Sequence, residues 1–569
     1  MTAVTTTVVD MLTRDAAIAE LTGPGQVFEL ETVEIWGNPI RIFKNAPGTM
    51  RDVWANAAKR GDAPYFHYEG ATTSYGEADR QVRSLAVWLH SRGIAKGDRV
   101  AVGMRNYPEW AVAHWAIQSI GAVTVSLNAW WIAEELRYAL TDSGAVAVIV
   151  DGERLDRLSP ELLAECGVHT AVVVRGDSRA DTVAWAEATA APDAALPEVD
   201  IRPDDIATIL YTSGTTGFPK GAEGSNRNYV TNIWNTLFTG ALTMRMNGVV
   251  PPPADAPKPQ VVSFSTFPFF HIAGLCGMIS STNAGNAIVT QFKWDPLDAM
   301  KLIEKYRVNT FGGVPTVVRG LIEHPDFHKH DLSSLVSVGQ GGAPVAPDSI
   351  ARINAEFGGK VSPGNGYGLT ETTAGVIAIA GPAYLERMDS IGLPHVGSVA
   401  KICDEDGNEL PRRSIGEVWI YGPNNVRGYW NKPAETAKAF TNGWFHSGDA
   451  GYMDEEGYIY VVDRIKDMVL RGGENVYCVE VETALFELHE VRDCAVIGLP
   501  HPTLGEEVAA VLVPADGHGP ADEQTVMEHL KARLAAFKVS SKVFWHQGEL
   551  PRNATGKVLK KDLRDQYSA

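Results

Sequence analysis

The sequence predicts an α/β protein with a large N-terminal domain of helix-covered sheets and a small α+β C-terminal domain. Strand-like apolar runs alternate with helical patterns over the first 460 residues, a pattern typical of parallel sheets covered by helices. From residue 443 onward, closely spaced turns and short strands replace that alternation. A chain of 569 residues is also too long to fold around a single hydrophobic core. The clearest strand candidates are residues 99–103, 146–150, 170–174 and 206–210, with a helix expected over 75–92.

The domain boundary is expected near Lys466, where a charged turn follows the last strand candidate of the large domain. Residues 466–569 carry strand and helix signals of their own, and a stretch of about 100 residues suits a separate small domain. The predicted division is therefore 1–465 and 466–569.

Composition restricts the classes of partner and compartment. The net charge of −19 disfavours nucleic acid or an anionic membrane as a bulk partner. Five cysteines without a CxxC pair favour a reducing compartment over a disulfide framework or a zinc site. The start of the sequence lacks a signal-peptide pattern. Residues 110–131, the most apolar region, contain His114, Gln118 and Asn128, which indicates a buried helix, a break at Gly121 and a strand. We expect a soluble cytoplasmic protein without a transmembrane segment.

The most informative segment is residues 211–221, YTSGTTGFPKG, in which seven of eleven residues are Gly, Ser or Thr. It follows a short buried strand and ends with a lysine. Backbone N–H groups, hydroxyls and a cation are the groups that wrap a polyphosphate. The order Gly-Lys-Ser/Thr of nucleoside-triphosphatase loops never occurs. Taken alone, such a loop is also compatible with a flexible surface turn.

Five further segments follow in order along the chain. They are residues 268–274 (PFFHIAG), 341–344 with 365–371 (GGAP, NGYGLTE), 443–449 (GWFHSGD), 463–467 with 471–475 (DRIKD, RGGEN) and 551–557 (PRNATGK). Together with the loop, the set resembles the adenylate-forming superfamily of acyl-CoA synthetases, peptide-synthetase adenylation domains and beetle luciferase. The resemblance spans roughly residues 50–565, and it implies the fold of that superfamily with a mobile C-terminal domain.

The resemblance implies a two-step ligase that uses ATP, Mg²⁺ and CoA. A carboxylic acid reacts with ATP to give acyl-AMP and pyrophosphate, and thiol attack then gives a thioester and AMP. The first step brings two anions together, so its catalysis must be mainly electrostatic positioning.

The resemblance also assigns the polyphosphate side of the site. Thr370 would bind a phosphate oxygen, and Glu371 would hold Mg²⁺, a hard cation that suits carboxylate and phosphate ligands. In isolation, this pair is more typical of an acidic helix N-terminus. The loop residues that would hold the β- and γ-phosphates are Thr212, Ser213, Gly214, Thr215, Thr216, Gly217 and Lys220.

The nucleoside side is assigned in the same way. Tyr367 would pack on adenine, and Asp449 would accept hydrogen bonds from the ribose hydroxyls, with Arg464 nearby. In isolation, Tyr367 is more often a core aromatic, and an Asp or Arg such as Asp449 or Arg464 more often forms a surface salt bridge. The remaining residues expected along the nucleotide are Gly341, Gly342, Ala343, Pro344, Asn365, Gly366 and Gly368.

Lys557 would bridge the acyl carboxylate and the α-phosphate, and His271 joins it as a catalytic residue beside the acyl group. Rotation of the C-terminal domain about Lys466 would then withdraw Lys557. The turn at Gly472 and Gly473 would approach the cleft, where the absence of side chains lets pantetheine come close. A flexible connector would also explain these glycines.

Four positions depart from the superfamily pattern. Asn226 replaces a common histidine, Glu223 and Gly224 stand where apolar residues are common, and Cys478 stands where a proline is frequent. None is assigned to chemistry.

The acyl pocket should be lined by residues 271–274, 312–316, 340–341 and 366–370. Acetate-specific relatives carry tryptophan at the position of Gly368, so a glycine there predicts a deeper pocket. We expect a medium or long fatty acid, or a bulky aryl or alicyclic acid.

Other functions share parts of this pattern. An acyl-AMP ligase that loads a carrier protein in trans is the main alternative to a CoA ligase. A luciferase-like oxidation or a non-catalytic nucleotide sensor would also retain nucleotide-binding motifs. The identity of the acid and assembly as a homodimer remain open from the sequence.

Overall fold

A computed structural model describes residues 10–191, 194–212, 218–251, 259–343, 345, 347–515, 517–553 and 556–568. It confirms the predicted α/β class, with a large N-terminal part and a small C-terminal part. We number strands and helices along the chain. In the described ranges the strands form five sheets.

The first sheet has the strand order β11-β10-β6-β5-β7-β8-β9. All neighbours are parallel except β10 and β11, which form an antiparallel pair. The glycine-rich segment therefore connects the two strands of a hairpin. The strands are β5 Arg99–Gly103, β6 Val123–Ser126, β7 Ala147–Asp151, β8 Thr170–Val174, β9 Val183–Ala184, β10 Ile206–Thr212 and β11 Lys220–Ser225.

The second sheet has nine strands in the order β18-β17-β16-β15-β14-β12-β13-β3-β4. Its six central strands are parallel, so the carboxyl ends of β14, β15 and β16 meet at one edge. The strands are β3 Pro64–Tyr68, β4 Ala71–Ser74, β12 Val262–Ser265, β13 Ala287–Thr290, β14 Thr310–Gly313, β15 Ser337–Gly341, β16 Ser362–Leu369, β17 Ala374–Ala380 and β18 Leu393–Pro394.

The remaining sheets are largely antiparallel. A hairpin of β1 Leu30–Ile35 and β2 Asn38–Phe43 precedes the first helix-covered sheet. The fourth sheet contains β19 Val399–Cys403, β20 Gly416–Tyr421, β21 Phe440–Thr441, β22 Trp444–Met453 and β23 Ile459–Arg464. The fifth contains β24 Val469–Arg471, β25 Glu474–Val476, β26 Val491–His501, β27 Gly505–Pro514 and β28 Lys542–Trp545.

Helices cover the sheets and fill the main core. Trp54, Trp110 and Trp115 are almost completely buried between the first two sheets. The helices are α1 Arg14–Thr22, α2 Met50–Ala58, α3 Tyr75–Ser91, α4 Pro108–Ser119, α5 Ala133–Ser143, α6 Gly152–Leu155, α7 Pro160–Glu165, α8 Trp185–Ala188, α9 Asn226–Met246, α10 Ile272–Ala284, α11 Pro296–Tyr306, α12 Pro315–Ile322, α13 Pro347–Glu356, α14 Gly381–Glu386, α15 Pro433–Ala439, α16 Cys478–Phe486, α17 Glu523–Lys531 and α18 Lys560–Tyr567.

The apolar region 110–131 folds as the sequence predicts. The buried α4 ends near Gly121, whose φ of +70° lies in the left-handed region, and β6 follows. No helix in the described ranges combines the length and apolar character needed to cross a membrane.

The C-terminal part has its own sheet and core. Its first strand, β24, begins five residues after the last strand of the fourth sheet ends at Arg464. Arg319 on α12 links the two parts, because its Nη1 donates to the Arg492 carbonyl (2.9 Å) and its guanidinium lies 5.0 Å from the Phe486 ring centroid. The C-terminal part thus packs over the edge where the parallel strands end.

Candidate active site

The cleft between the two parts collects charged side chains from distant segments. Lys557, on the C-terminal part, interacts electrostatically with Arg464, Asp449, Lys466 and Glu371. His271, from the start of α10, in turn interacts with Lys557. The structure therefore brings together six residues that sequence reasoning assigned to one site.

The turn that carries Lys557 is braced by its own segment. Asn553 Oδ1 accepts from the Lys557 N–H (3.0 Å), and Arg552 donates to the Gly556 carbonyl (2.6 Å) while pairing with Asp493. A Cβ on Gly556 would lie 3.2 Å from Val314, and its φ is +83°. Gly556 thus packs against Val314 of the N-terminal part, and its left-handed backbone favours glycine at this position.

Lys557 combines access with an unusual proton affinity. The residue is exposed to solvent at the cleft, so water reaches its side chain. Enclosure by the cleft walls, and then the positive charge of Arg464, lowers the pKa of Lys557 to about 8. The same walls and Lys557 lower the pKa of His271 to about 4, so this imidazole is neutral at pH 7. His271 Nδ1 accepts from the Ala273 N–H at 3.3 Å.

Asp449, Arg464 and Tyr367 form one hydrogen-bonded group. Arg464 Nε lies 2.5 Å from Asp449 Oδ1, and the Tyr367 hydroxyl donates to Asp449 Oδ2 at 2.5 Å. Adjacent antiparallel strands, β22 and β23, place the Asp449–Arg464 pair directly opposite each other. Burial raises the pKa of Asp449, while Arg464 opposes that shift. The carboxylate has lone pairs beyond these two bonds, which ribose hydroxyls can use.

Glu371 lies in a short 3₁₀ helix, Thr370–Thr372, that follows β16 directly. Its side chain is 8% exposed, and its Oε1 accepts from the Tyr429 hydroxyl at 2.6 Å. Among the described residues, no group of three His, Cys, Asp or Glu side chains could hold a metal ion by itself. One carboxylate with a second oxygen suits Mg²⁺ that also binds phosphate and water.

Tyr429 is a site residue that sequence reasoning missed. Its ring centroid lies 4.1 Å from Lys220 Nζ, while its hydroxyl holds Glu371. It thereby places the lysine of the glycine-rich segment on the same side as the carboxylate assigned to Mg²⁺. No motif marks this tyrosine.

The glycine-rich segment is described only at its ends. Thr212 and Lys220 are directly paired across the β10–β11 hairpin. Phe218 stacks on Tyr138, with ring centroids 4.7 Å apart. The predictions for Ser213, Gly214, Thr215, Thr216 and Gly217 lie outside the described residues and remain predictions.

Five glycines lie on one face of the second sheet. Gly312, Gly339 and Gly364 are in register across three parallel strands, and Gly341 pairs with Gly366 two residues farther along β15 and β16. Because side chains alternate along a strand, all five belong to the same face. Nothing lies within 4 Å of a Cβ built on Gly366 or Gly339. The result is a strip without side chains; we name it the glycine strip.

The other residues expected along the nucleotide lie beside this strip. Asn365 pairs with Gln340, and Gly342 follows β15 with a φ of +77°. Ala343 lies in the bend that follows, whereas Pro344 is outside the described residues.

Glycine is needed at position 368 for a different reason from the one that the sequence suggested. A Cβ there would lie 1.7 Å from the carbonyl oxygen of Ala374, at an irregularity in the β16–β17 register. The close backbone approach therefore requires glycine, and the Cβ direction points into β17 instead of a cavity. The inference that Gly368 deepens the pocket is wrong in this structure.

Lys466 reaches the cleft, whereas Gly472 and Gly473 do not. Burial lowers the pKa of Lys466, and the charges that act on it include Arg464 and Asp449. The two glycines form the exposed turn between β24 and β25, with φ values of +62° and +90°. Around Gly472, a built Cβ would meet Leu504 of the same small part.

The departures at residues 223 and 226 have local structural partners. Asn226 is buried and joins two segments, since its Oδ1 accepts from the Met50 N–H (2.9 Å) and its Nδ2 donates to the Asp205 carbonyl. Glu223 is half-buried, and burial raises its pKa while Arg427 opposes the shift. Neither residue enters the charged group around Lys557.

Two sequence families match the chain. Residues 53–430 match the AMP-binding enzyme family, and residues 480–557 match the AMP-binding enzyme C-terminal domain. The first match covers more than half of the chain, so the protein belongs to the AMP-binding enzyme family. It is an ATP-dependent acid–thiol ligase of the acyl-CoA synthetase type.

Individual relatives agree with this assignment. A feruloyl-CoA synthase of Amycolatopsis sp is 35% identical over 500 residues, covering 88% of this chain and 94% of the relative. A long-chain-fatty-acid–CoA ligase of Bacillus subtilis is 32% identical over 553 residues, covering 91% and 94%. The crystal structure of ATP-bound MatB from Rhodopseudomonas palustris superposes with a TM-score of 0.81 at 31% identity, covering 91% and 99%. The alternative of a carrier-loading ligase is not favoured.

Proposed function

We propose that the protein activates a medium or long fatty acid, or a bulky aryl or alicyclic acid, as acyl-AMP and transfers it to CoA. The position of Lys557 is the main support for the assigned residue roles. Its amine shares the cleft with His271, Asp449 and Glu371. A cation at this point can face two anionic substrates at once.

In the first step, a carboxylate oxygen attacks the α-phosphorus of ATP and the bond to pyrophosphate breaks. Lys557 holds the carboxylate and the α-phosphate together, while Asp449 and Arg464 hold the ribose and Tyr367 supports adenine. Thr370 and Lys220 bind phosphate oxygens. Glu371, fixed by Tyr429, supplies the protein ligand for Mg²⁺, which offsets phosphate charge when bound.

The second step needs CoA where Lys557 stands. Residues 466–569 would turn about Lys466, so the domain boundary falls between residues 465 and 466. This rotation would carry the Gly472–Gly473 turn to the cleft. The exposure of that turn and the gap between β23 and β24 support the proposal.

Two observations support a bulky acid. The glycine strip carries no side chains, and at Gly339 and Gly366 the space above the sheet is open within 4 Å. The relatives include enzymes named for feruloyl and long-chain fatty acyl groups. Because the backbone of Ala374 requires glycine at position 368, the glycine strip is the feature that supports a wide acyl pocket.

A panel of acids tests the substrate class. Acids from C2 to C18 and several aryl acids are compared by CoA-dependent AMP release with purified protein. Because each buried methylene is worth about 0.8 kcal/mol, we expect kcat/KM for octanoate or an aryl acid to exceed that for acetate by at least about a hundredfold. Faster turnover of acetate than of every larger acid would contradict the proposal.

The low pKa of Lys557 predicts that the exchange activity falls on the alkaline side of its pH profile. Only the protonated amine attracts the two anions, so kcat/KM for ATP–pyrophosphate exchange should fall about tenfold per pH unit above about 8. The kcat limb should lie at higher pH, because bound anions stabilise the charged amine. Lys557→Arg is the control, since a guanidinium stays charged and its residual activity should lack this limb. A wild-type profile that is flat from pH 7 to 10 would contradict the role of Lys557.

The proposal also includes a cellular compartment and an oligomeric state. All five cysteines are free and buried, which supports a cytoplasmic enzyme. A homodimer remains a prediction that light scattering at micromolar concentration would check.

A further inference from the structure

A buried contact joins the two parts of the protein next to the hinge. Asp463 is the penultimate residue of β23 and is 3% exposed. Its Oδ1 accepts from the Arg464 N–H at 2.7 Å, and its Oδ2 accepts from the N–H of Cys478, the first residue of α16. Lys466 lies between the two partners along the chain. The Asp463–Cys478 bond therefore spans the connection about which the small part would turn.

The same helix is coupled to the catalytic turn. Glu482, one turn along α16 from Cys478, pairs with Lys560 at 2.8 Å, and both side chains are only 14% exposed. Lys560 begins α18, three residues after Lys557. A continuous set of contacts thus runs from Asp463 through α16 and the Glu482–Lys560 pair to the turn that presents Lys557.

Other groups next to the contact complete its surroundings. The Cys478 thiol donates to the Asp467 carbonyl at 3.1 Å, and Arg564 lies 3.7 Å from the Asp467 carboxylate. Burial raises the pKa of Asp463 to about 6, and the charge of Lys560 opposes that shift. At pH 7 and above, the Asp463 carboxylate is therefore mostly ionised and makes a charge-assisted bond to the Cys478 N–H.

The Cys478 N–H is a donor that a proline cannot supply. Cys478 occupies the first helical position of α16, where proline is well tolerated because its ring suits the helix and the N–H is not needed by the helix. Proline is frequent at this position in the superfamily that the chain resembles. The substitution by cysteine adds an interdomain hydrogen bond that a proline-bearing chain lacks.

We propose that Asp463 and Cys478, coupled through Glu482 and Lys560, act as positioning residues that hold Lys557 in the adenylation cleft. The inference rests on the proposed two-step function. Asp463 lies before Lys466 and Cys478 lies beyond it, so the proposed rotation about Lys466 would break the bond. The bond therefore favours acyl-AMP formation and would be lost before CoA attack. It acts on one half-reaction.

Cys478→Pro tests the donor with little disturbance of the backbone. Tyr477 has φ −83° and ψ 116°, which is compatible with a following proline, and the helix position accepts the ring. We expect ATP–pyrophosphate exchange to fall about tenfold, the effect of one charge-assisted hydrogen bond. Thioester formation from supplied acyl-AMP and CoA should be unchanged or faster. Cys478→Ala keeps the N–H and is the matched control, with the wild-type ratio of the two rates.

Asp463→Ala removes the acceptor and keeps the test informative if the proline variant fails to fold. It should lower the rate of ATP–pyrophosphate exchange but not the rate of thioester formation. Where both variants fold, the double variant should exchange no more slowly than the more impaired single variant. An unchanged ratio of the two half-reactions in Cys478→Pro, or in Asp463→Ala if the proline variant does not fold, overturns the inference. Absence of both half-reactions in the wild type would instead overturn the proposed function, and the inference with it.

Discussion

Lys557→Ala is expected to lower ATP–pyrophosphate exchange by about a thousandfold. At about 4 Å and an effective dielectric near 20, one charge pair is worth roughly 4 kcal/mol, which corresponds to that factor in rate. The loss should fall on acyl-AMP formation, because the proposed rotation would withdraw Lys557 from the cleft before CoA attack. ATP binding, measured by calorimetry, should be retained, since Asp449, Arg464 and Glu371 remain in place.

Lys561→Ala provides a matched control four residues from the catalytic turn. Lys561 is exposed on α18, outside the charged group of the cleft, and its replacement should leave exchange within about twofold of wild type. Thioester formation from supplied acyl-AMP should survive in Lys557→Ala. Equal loss of both half-reactions in that variant would exclude an adenylation-specific role.

Glu371→Gln is expected to lower kcat/KM for Mg-ATP by at least about a hundredfold. The amide oxygen can still accept from Tyr429, so the local structure is preserved while the anionic ligand is lost. A metal-linked charge contribution of several kcal/mol predicts a loss of this size. Exchange should be measured against total Mg²⁺ concentration, and the variant should need a higher concentration for half-maximal rate.

Two comparisons isolate the carboxylate from its support. Tyr429→Phe removes the hydrogen bond but keeps the charge, so it should cost much less than Glu371→Gln. Glu455→Gln changes an exposed carboxylate paired with Arg413 and should have no measurable effect. Activity of Glu371→Gln within threefold of wild type, with an unchanged Mg²⁺ requirement, would remove Glu371 from the metal site.

Sequence reasoning predicted the fold well where periodicity is strong. The α4–Gly121–β6 segment and the α3 helix follow from local patterns of apolar residues, which do not depend on distant partners. The site residues near Lys557 followed from motif order, and the structure gathers them from segments nearly 300 residues apart.

Tyr429 and Gly368 could not be assigned in this way. Tyr429 contacts Glu371 across 58 residues, a separation that no local sequence pattern indicates. Gly368 is required by the carbonyl of Ala374 at a register irregularity. Such irregularities depend on strand pairing, which a one-dimensional pattern does not contain. Cys478 was visible as a departure, but its role needed the position of Asp463.

The most direct test of the central claim separates the two chemical steps. Purified protein is mixed with ATP, Mg²⁺ and an accepted acid, and products are quantified by mass spectrometry before and after CoA is added. We predict about one equivalent of bound acyl-AMP with pyrophosphate before CoA, and acyl-CoA with AMP afterwards. Formation of ADP and phosphate, or acyl-AMP that CoA fails to discharge, would contradict a two-step acyl-CoA ligase.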